Sequence, residues 1–495
     1  MSKKLVISII QQFRAKWQRG TKKSERNISL IFFDSNAIIN GYCEEDTKLS
    51  CIDKKFYTSV CAIALPIALQ NLISFSVNLM DTVMLGKLGE VALSAAALAN
   101  QMFFIFNVVC FGVSSGAIVL ASQYWGKKDA EAIQKITGLA VKIITAFSLL
   151  FSAVVMLFPG QIMRIFSPDA AVIEAGIHYL RVVALSYTTG GISATFLMVL
   201  RSVGTVNISV LIYSISFCVN VFFNYCFIFG RMGAPELGVT GAAVGTVIAR
   251  ATECVILLVY LLFFEKKIHY RLRTFLQNDR DLIHDMIHYG LPVMLNEFFW
   301  AVGISLHSVI LGHISATVVA ANSICSVVYQ LATSFIFGVG SATAVMTGNI
   351  IGSGDIPYLL ECVKRFKRIY FVLGIASAGL LLLLKNPVLA IYNIEPETLA
   401  FANQLMIAYA FSIFFTAYAN PLITGIFRGA GDTRFAALVD IGCLWFAIPF
   451  GALAAFLFHL PPIVVFLILK LDYPLKTMFC LMRLRGTNWI RCVTR

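Results

Sequence analysis

The stretch Ala64–Gly86, reading ALPIALQNLISFSVNLMDTVMLG, is almost wholly apolar and holds one ionisable side chain, Asp81. At ~1.5 Å of rise per residue it is long enough to cross a hydrocarbon layer of ~30 Å as a helix. A carboxylate inside such a run is costly unless it faces a wet cavity, a cation or a polar partner. Asp81 is therefore a candidate functional residue. The plainer alternative is a carboxylate at the membrane surface, since it lies toward the end of the run.

Eleven further apolar stretches follow the same pattern. The twelve predicted spans cover roughly 57–85, 92–123, 133–157, 172–200, 207–229, 239–264, 284–311, 317–350, 367–385, 398–424, 435–458 and 461–481. Only 13% of the residues are charged and 58% are hydrophobic, against about 25% charged in a soluble domain. The chain reads as an all-α polytopic membrane protein whose helices pack on one another in the lipid bilayer. Short links with Gly, Pro or charge separate the spans, and the longest internal link, with EKKIHYRLR, divides them six and six. The predicted organisation is a cytoplasmic N-terminal tail over 1–55, a first lobe over 56–264, a cytoplasmic linker over 265–283, and a second lobe with the C-terminus over 284–495.

Charge placement orients this layout. With the N-terminus inside, 32 of the 39 Lys and Arg fall in inner segments, while Lys87, Arg164, Arg231 and Lys385 are the outer ones. Lys142, Arg181 and Arg250 fall within spans. That bias predicts both termini in the cytoplasm, and it accounts for the formal net charge of +13 without any nucleic-acid partner. The tail carries a basic run (Lys22, Lys23, Arg26) and is expected to be partly disordered, with a surface-lying basic helix at 5–19; no cleaved leader is read in it. The twelve scattered Cys form no CxxC, which points to reduced packing residues rather than disulfides or zinc.

The halves repeat. Leu65-Pro66, Gly86, Gly112, Gly126 and Asp129 recur at an offset of 226 as Leu291-Pro292, Gly312, Gly338, Gly352 and Asp355, and LRSVG (200–204) recurs as FRGAG (427–431) at an offset of 227. Six intervening spans keep the orientation, so the repeats are parallel and related by a pseudo-two-fold axis along the membrane normal, as in two-lobed alternating-access transporters. The polar groups do not repeat: Asp81 corresponds to His307 and Asn71 to Glu297. Different chemistry in one frame suggests distinct ion and substrate sites.

No GxxxxGK[ST], HExxH or GxSxG is present, so no ATP-phosphate cradle or hydrolytic motif is visible and the chain is not read as an enzyme. Glu297 lies just beyond Pro292, with Trp300 one turn further on; a carboxylate beside an aromatic plane suits an organic cation, and the alternative is a solvated Glu near the end of its span. Asn220 and Asn224 share a helix face and can coordinate Na⁺ or hold helices together. Arg250 and Glu253 read as an internal ion pair, His307 as a helix–helix partner or titrating group, and Asp440 as interfacial.

ALPIALQNLI…MDTVMLGKLG (64–89), SSGAIVLASQYWGKKD (114–129), LRSVG, CVNVFFNYCFIFG…LGVTGAAVGTVIA (218–249), LPVMLNEFFW (291–300) and GIFRGAGDTR (425–434) together resemble the MATE family of multidrug and toxic compound extrusion transporters. The resemblance covers about residues 56–495. It implies twelve transmembrane helices in two six-helix lobes at the cell membrane, and export of amphipathic organic cations in exchange for Na⁺ or H⁺. It also implies cation coupling at Asp81, assisted by Asn220, Asn224 and Thr246, with Na⁺ or H⁺ as the coupling ion, Na⁺ the candidate metal ion there, and no resident cofactor. Many archaeal and related members have Asp where Asn224 stands. The seventh-span Glu and tenth-span Asp of a C-lobe cation site fall here on Trp300 and Ala417, so that site does not transfer; Glu297, Trp300 and His307 remain the C-lobe candidates for substrate or cation. A monomer is expected. The alternatives are a lipid-linked or polysaccharide flippase of the same superfamily, which would need more basic residues in the spans, and a non-transporting receptor or scaffold.

Overall fold

The computed structural model describes residues 45–277, 279–390 and 396–494. The basic run and the surface helix expected in the tail lie outside these residues. The helices are α1 (Glu45–Gly86), α2 (Glu90–Gly126), α3 (Ala130–Leu157), α4 (Pro159–Phe166), α5 (Ala170–Val183), α6 (Leu185–Ser202), α7 (Asn207–Phe229), α8 (Val239–Phe263), α9 (Leu272–Leu276), α10 (Arg280–Asp285), α11 (Leu291–Gly312), α12 (Ala316–Ser353), α13 (Ile356–Leu389), α14 (Pro396–Asn420), α15 (Thr433–Phe456), α16 (Pro462–Leu469) and α17 (Asp472–Arg483). The chain divides into two units, Met1–Ala62 and Ile63–Arg495, and the second holds the two lobes described below.

Among the described residues, ten continuous helical segments are long and apolar enough to cross a membrane, and α5 with α6 forms an eleventh bent by 49°. The bend at Ala184 exposes its carbonyl, which accepts a hydrogen bond from the Ser152 hydroxyl at 2.8 Å. The twelfth span, expected as one run over 461–481, is instead the pair α16 and α17, broken at Lys470-Leu471. Pro474 lacks the N–H that would bond the Lys470 carbonyl in a continuous α-helix, which weakens the helix at this point; that carbonyl accepts from the Tyr473 N–H instead. Lys470 and Lys476, reckoned above with the C-terminal segment, lie within the run 461–481 and so belong to this span.

The all-α fold has twelve membrane segments in two lobes. One core gathers buried side chains of the first half such as Leu120, Ile133, Tyr187 and Leu200, and a second gathers Ile336, Leu381, Met406 and Leu444. Large apolar side chains such as Leu150, Leu262, Leu383 and Leu438 remain exposed, as expected of helices whose outer faces meet lipid. The repeat read from the sequence is visible in the backbone. Asp129 caps α3 by accepting from the Ala132 N–H at 2.9 Å, and Asp355, its counterpart, caps α13 by accepting from Tyr358 N–H at 3.1 Å. Lys128 and Gly354 just before them share the left-handed conformation, as do Gly204 and Gly431.

The repeated glycines bring the lobes together. A Cβ on Gly112 would lie 2.8 Å from the Met294 Cα, and one on Gly338 would lie 2.6 Å from the Ala64 carbonyl and 3.2 Å from the Ala68 Cβ. Ala68 and Met294 are themselves related by the offset of 226, so the two close approaches are counterparts under the pseudo-two-fold. The interlobe hydrogen bonds Asn71–Ser334, Ser115–Arg428 and Gln123–Gly429 lie in the same half of the bundle.

A C-terminal strap crosses this junction. The Arg491 and Arg483 guanidinium groups each reach Asp432 at 3.0 Å, and Trp489 is fully buried. The Gln123 side chain of the first lobe donates to the carbonyls of Gly429 and Arg491 and accepts from the Val493 N–H at 2.8 Å. Val493 itself joins the first lobe's core. On the first lobe's flank, the linker after α8 is shaped by Glu265, whose carboxylate accepts from the backbone N–H groups of Lys267, Ile268 and His269. Gln123→Ala leaves the Val493 N–H and two carbonyls without partners, a loss of about 1–3 kcal/mol per buried group. Hydrogen-exchange mass spectrometry should show faster exchange of the Val493 amide by about tenfold or more, with protection in α6 unchanged.

Candidate functional site

Each lobe encloses a cavity. In the first, of about 270 Å³, α1 supplies Asp81, α7 supplies Asn220, and α8 supplies Thr246 and Arg250. Asn224, fully buried one turn beyond Asn220, donates from Nδ2 to Asp81 Oδ1 at 2.6 Å and to Asn220 Oδ1 at 3.2 Å. Asn220 in turn donates to Thr246 Oγ1 at 3.5 Å. These four residues, proposed from the sequence, thus form one chain of contacts. Its geometry depends on Gly245, where any Cβ would collide with the Asn224 amide oxygen. Asp81 is part-buried rather than in bulk water, and among the described residues no cation lies within ion-pair distance of it. Its nearest cation on the cavity wall, Arg250, is held by Glu253 at 2.8 Å, as the i,i+3 spacing suggested, and lies over the Phe103 ring. The Asn224 Oδ1 atom is buried against Gly245 with no hydrogen-bond partner, and the cavity wall itself offers the Asp81 carboxylate, the Asn220 amide and the Thr246 hydroxyl. Oxygen donors of this kind suit Na⁺ or a proton better than a transition metal. Among the described residues no three His, Cys, Asp or Glu side chains are grouped as a metal centre would require.

The second cavity, of about 600 Å³, has related walls. Ser74, Asp81, Asn100, Phe103 and Asn107 line the first; Trp300, His307, Ser326, Tyr329 and Thr333, their counterparts at the offset of 226, line the second. His307 is buried and its Nε2 has no partner. Glu297 lines neither cavity. Its carboxylate is paired with the buried Arg428 guanidinium at 2.7 Å, so the expected convergence of Glu297 and Trp300 on one cation is not formed. The first lobe holds a comparable pair, Arg201 donating to Gln70 Oε1 at 2.8 Å; Arg201 is the counterpart of Arg428, and Gln70 adjoins Asn71, the counterpart of Glu297. Glu297 is the acceptor of an interhelical clamp that both lobes share.

Asp440, read as interfacial, instead lines the second cavity and accepts from Lys476 Nζ at 2.8 Å and Asn296 Nδ2 at 2.9 Å. Lys476 also reaches Asp472 at 2.7 Å. Sequence reasoning missed Arg428, Lys470, Asp472 and Lys476. The signal for two of them was present, because the offset of 227 carries Arg201 to Arg428 and that of 226 carries Arg250 to Lys476.

The family model for MatE matches the chain twice, over residues 66–226 and 292–453. The chain belongs to the MatE family. The starts of the two matches, Pro66 and Pro292, are separated by the same interval that relates the cavities. A probable multidrug resistance protein NorM of Thermotoga maritima is 24% identical over 393 residues, covering 78% of this chain and 82% of its own. A probable NorM of Agrobacterium fabrum is 25% identical over 421 residues, covering 82% and 87%. Among solved structures, a point mutant of the Vibrio cholerae MATE transporter VcmN superposes with a TM-score of 0.78 at 16% identity, over 88% of this chain and 99% of that one. A MOP superfamily transporter from Pyrococcus furiosus gives 0.77 at 17%, over 87% and 96%. The MatE chain is therefore a multi-pass membrane transporter and not an enzyme.

The clamp in this MatE protein carries a stability prediction. Glu297→Ala strands a buried guanidinium, which costs about 3–5 kcal/mol, whereas replacing both members of such a pair with apolar residues is close to neutral. Thermal unfolding in detergent should show a large drop in Tm for Glu297→Ala and recovery of most of it in Glu297→Leu/Arg428→Met.

Proposed function

We propose that this transporter is a secondary antiporter that exports amphipathic organic cations across the cell membrane in exchange for Na⁺ or H⁺, with Asp81 as the coupling acid. The carrying observation is the Asp81 carboxylate in the first cavity, met by an amide and by no cation. Such a group has two stable conditions, neutralised by a bound ion or proton, or held by the Asn224 N–H in its charged form. A cation at Asp81 would draw on the carboxylate, the Asn220 and Asn224 amide oxygens and the Thr246 hydroxyl. Its arrival competes with the Asn224–Asp81 hydrogen bond, a contact between α1 and α7, so occupancy changes how these helices pack. A ligand shifts a conformational equilibrium only through such a differential contact.

The multidrug resistance names of the NorM relatives support xenobiotic export. With both termini in the cytoplasm, the glycine-packed junction and the C-terminal strap lie on the inner side, and the lobes are closed there. The flippase alternative loses support because Lys476 is held between two carboxylates, leaving few free cations for a lipid phosphate.

Efflux of a fluorescent organic cation from proteoliposomes, driven by separate Na⁺ and H⁺ gradients, tests this reading and identifies the ion. Asp81→Asn should lower gradient-driven flux by about tenfold or more at unchanged expression. Full transport by that variant overturns the assignment of Asp81, and absence of flux under either gradient overturns antiport.

A further inference from the structure

The second cavity has the opposite polarity to the first. Where the first lobe places Asp81, the second places His307, and the positions of Thr246 and Arg250 are taken by Asp472 and Lys476. Every carboxylate oxygen that Asp440 presents is engaged, Oδ1 by Lys476 and Oδ2 by Asn296. Asp472 takes no part in the wall and is buried behind it, paired with Lys476. A cationic solute entering this cavity finds no unengaged negative charge.

Lys470 is different. It lines the cavity at the break between α16 and α17, and among the described residues no carboxylate lies within ion-pair distance of its Nζ. The ammonium is surrounded by the rings of Tyr329, Phe466 and Tyr473, with centroids 5.8, 5.7 and 5.6 Å away. Those rings stabilise a cation from their faces but accept none of its three N–H donors in a conventional hydrogen bond. The His307 Nε2, in the same wall, is a second polar atom without a partner, on a side chain only 6% exposed. The remaining wall is aromatic and amide-rich, with Trp300, Tyr409, Asn322 and Asn420. A volume of about 600 Å³ falls within the ~300–1,000 Å³ of sites for drug-sized molecules.

We propose that this cavity is a binding site for an aromatic carboxylate, with the Lys470 ammonium as its counter-charge and Trp300 and the tyrosines as the walls around its ring. One unpaired ammonium matches a single negative charge; a phosphate dianion would need further donors that Lys476, shared by two acids, does not offer. The site is separate from the Asp81 constellation, so the chain handles cations in one lobe and anions in the other. A solute with both charges can engage the two in turn.

Equilibrium binding to the purified full chain in detergent tests this without any gradient, so its failure is distinct from failure of the antiport reading. The probes are rhodamine B, a xanthylium cation bearing a benzoate, and its ethyl ester, the same cation without the negative charge; fluorescence anisotropy gives both dissociation constants. The wild-type chain should bind the acid about tenfold more tightly than the ester, as expected for one charge-assisted hydrogen bond. Lys470→Gln should weaken acid binding to the level of the ester and leave the ester unchanged, while Lys470→Arg keeps the preference. Ser323→Trp, at an exposed position of the same wall, should weaken acid binding by filling the cavity, and it carries the test if Lys470→Gln does not fold. Equal affinities in the wild-type chain overturn the proposal, as does an acid preference that survives either Lys470→Gln or Ser323→Trp.

Discussion

A charge within a lipid-embedded bundle must find its compensation inside the protein, because neither water nor counter-ion reaches it from the hydrocarbon. Most of the buried charges here meet that demand with an opposite charge: Glu297 with Arg428, Glu253 with Arg250, and Asp440 and Asp472 with Lys476. Asp81 meets it with an amide. An amide hydrogen bond stabilises a carboxylate less than an ion pair does, and it leaves the group sensitive to whatever small cation the cavity admits. Under the antiport proposal, the distinction between structural and responsive charges is thus a distinction between partners rather than between residue types.

The scaffold that holds these charges is built from glycine. At Gly112 and Gly338 the backbone of one lobe comes against the opposite lobe so closely that no side chain fits. Helices surrounded by lipid gain little from hydrophobic association, and close backbone packing is what drives them together. The same contacts therefore fix the symmetry of the pair and define the surface over which the lobes can move.

Much of this was legible in the chain itself. The two constant offsets between the halves were set by Pro, Gly and capping Asp, whose roles depend on local backbone geometry and so survive in sequence. The first-lobe constellation was readable through the resemblance to the MATE family, which named Asp81, Asn220, Asn224 and Thr246. The ionic partners were harder to see. Glu297 and Arg428 lie on helices far apart in the chain, and nothing in helix periodicity says that their faces meet. Lys470 and Lys476 fall within the run read as the twelfth span, 461–481, yet were counted with the inner-side charges, so their place in a cavity wall went unseen. Bent and broken helices were missed because apolar length measures what can cross a membrane and not where a carbonyl, as at Ala184, finds another partner.

The strap formed by residues 484–494 has no counterpart after the first lobe, where the chain runs on into the linker. The two ends of the interlobe junction are accordingly unequal. Separating the lobes at one end requires only that helices part, whereas separating them at the other also requires Val493 to be withdrawn from a foreign core and Gln123 to exchange three protein contacts for water. The pseudo-two-fold is therefore broken at the junction itself, by a clasp a few residues long.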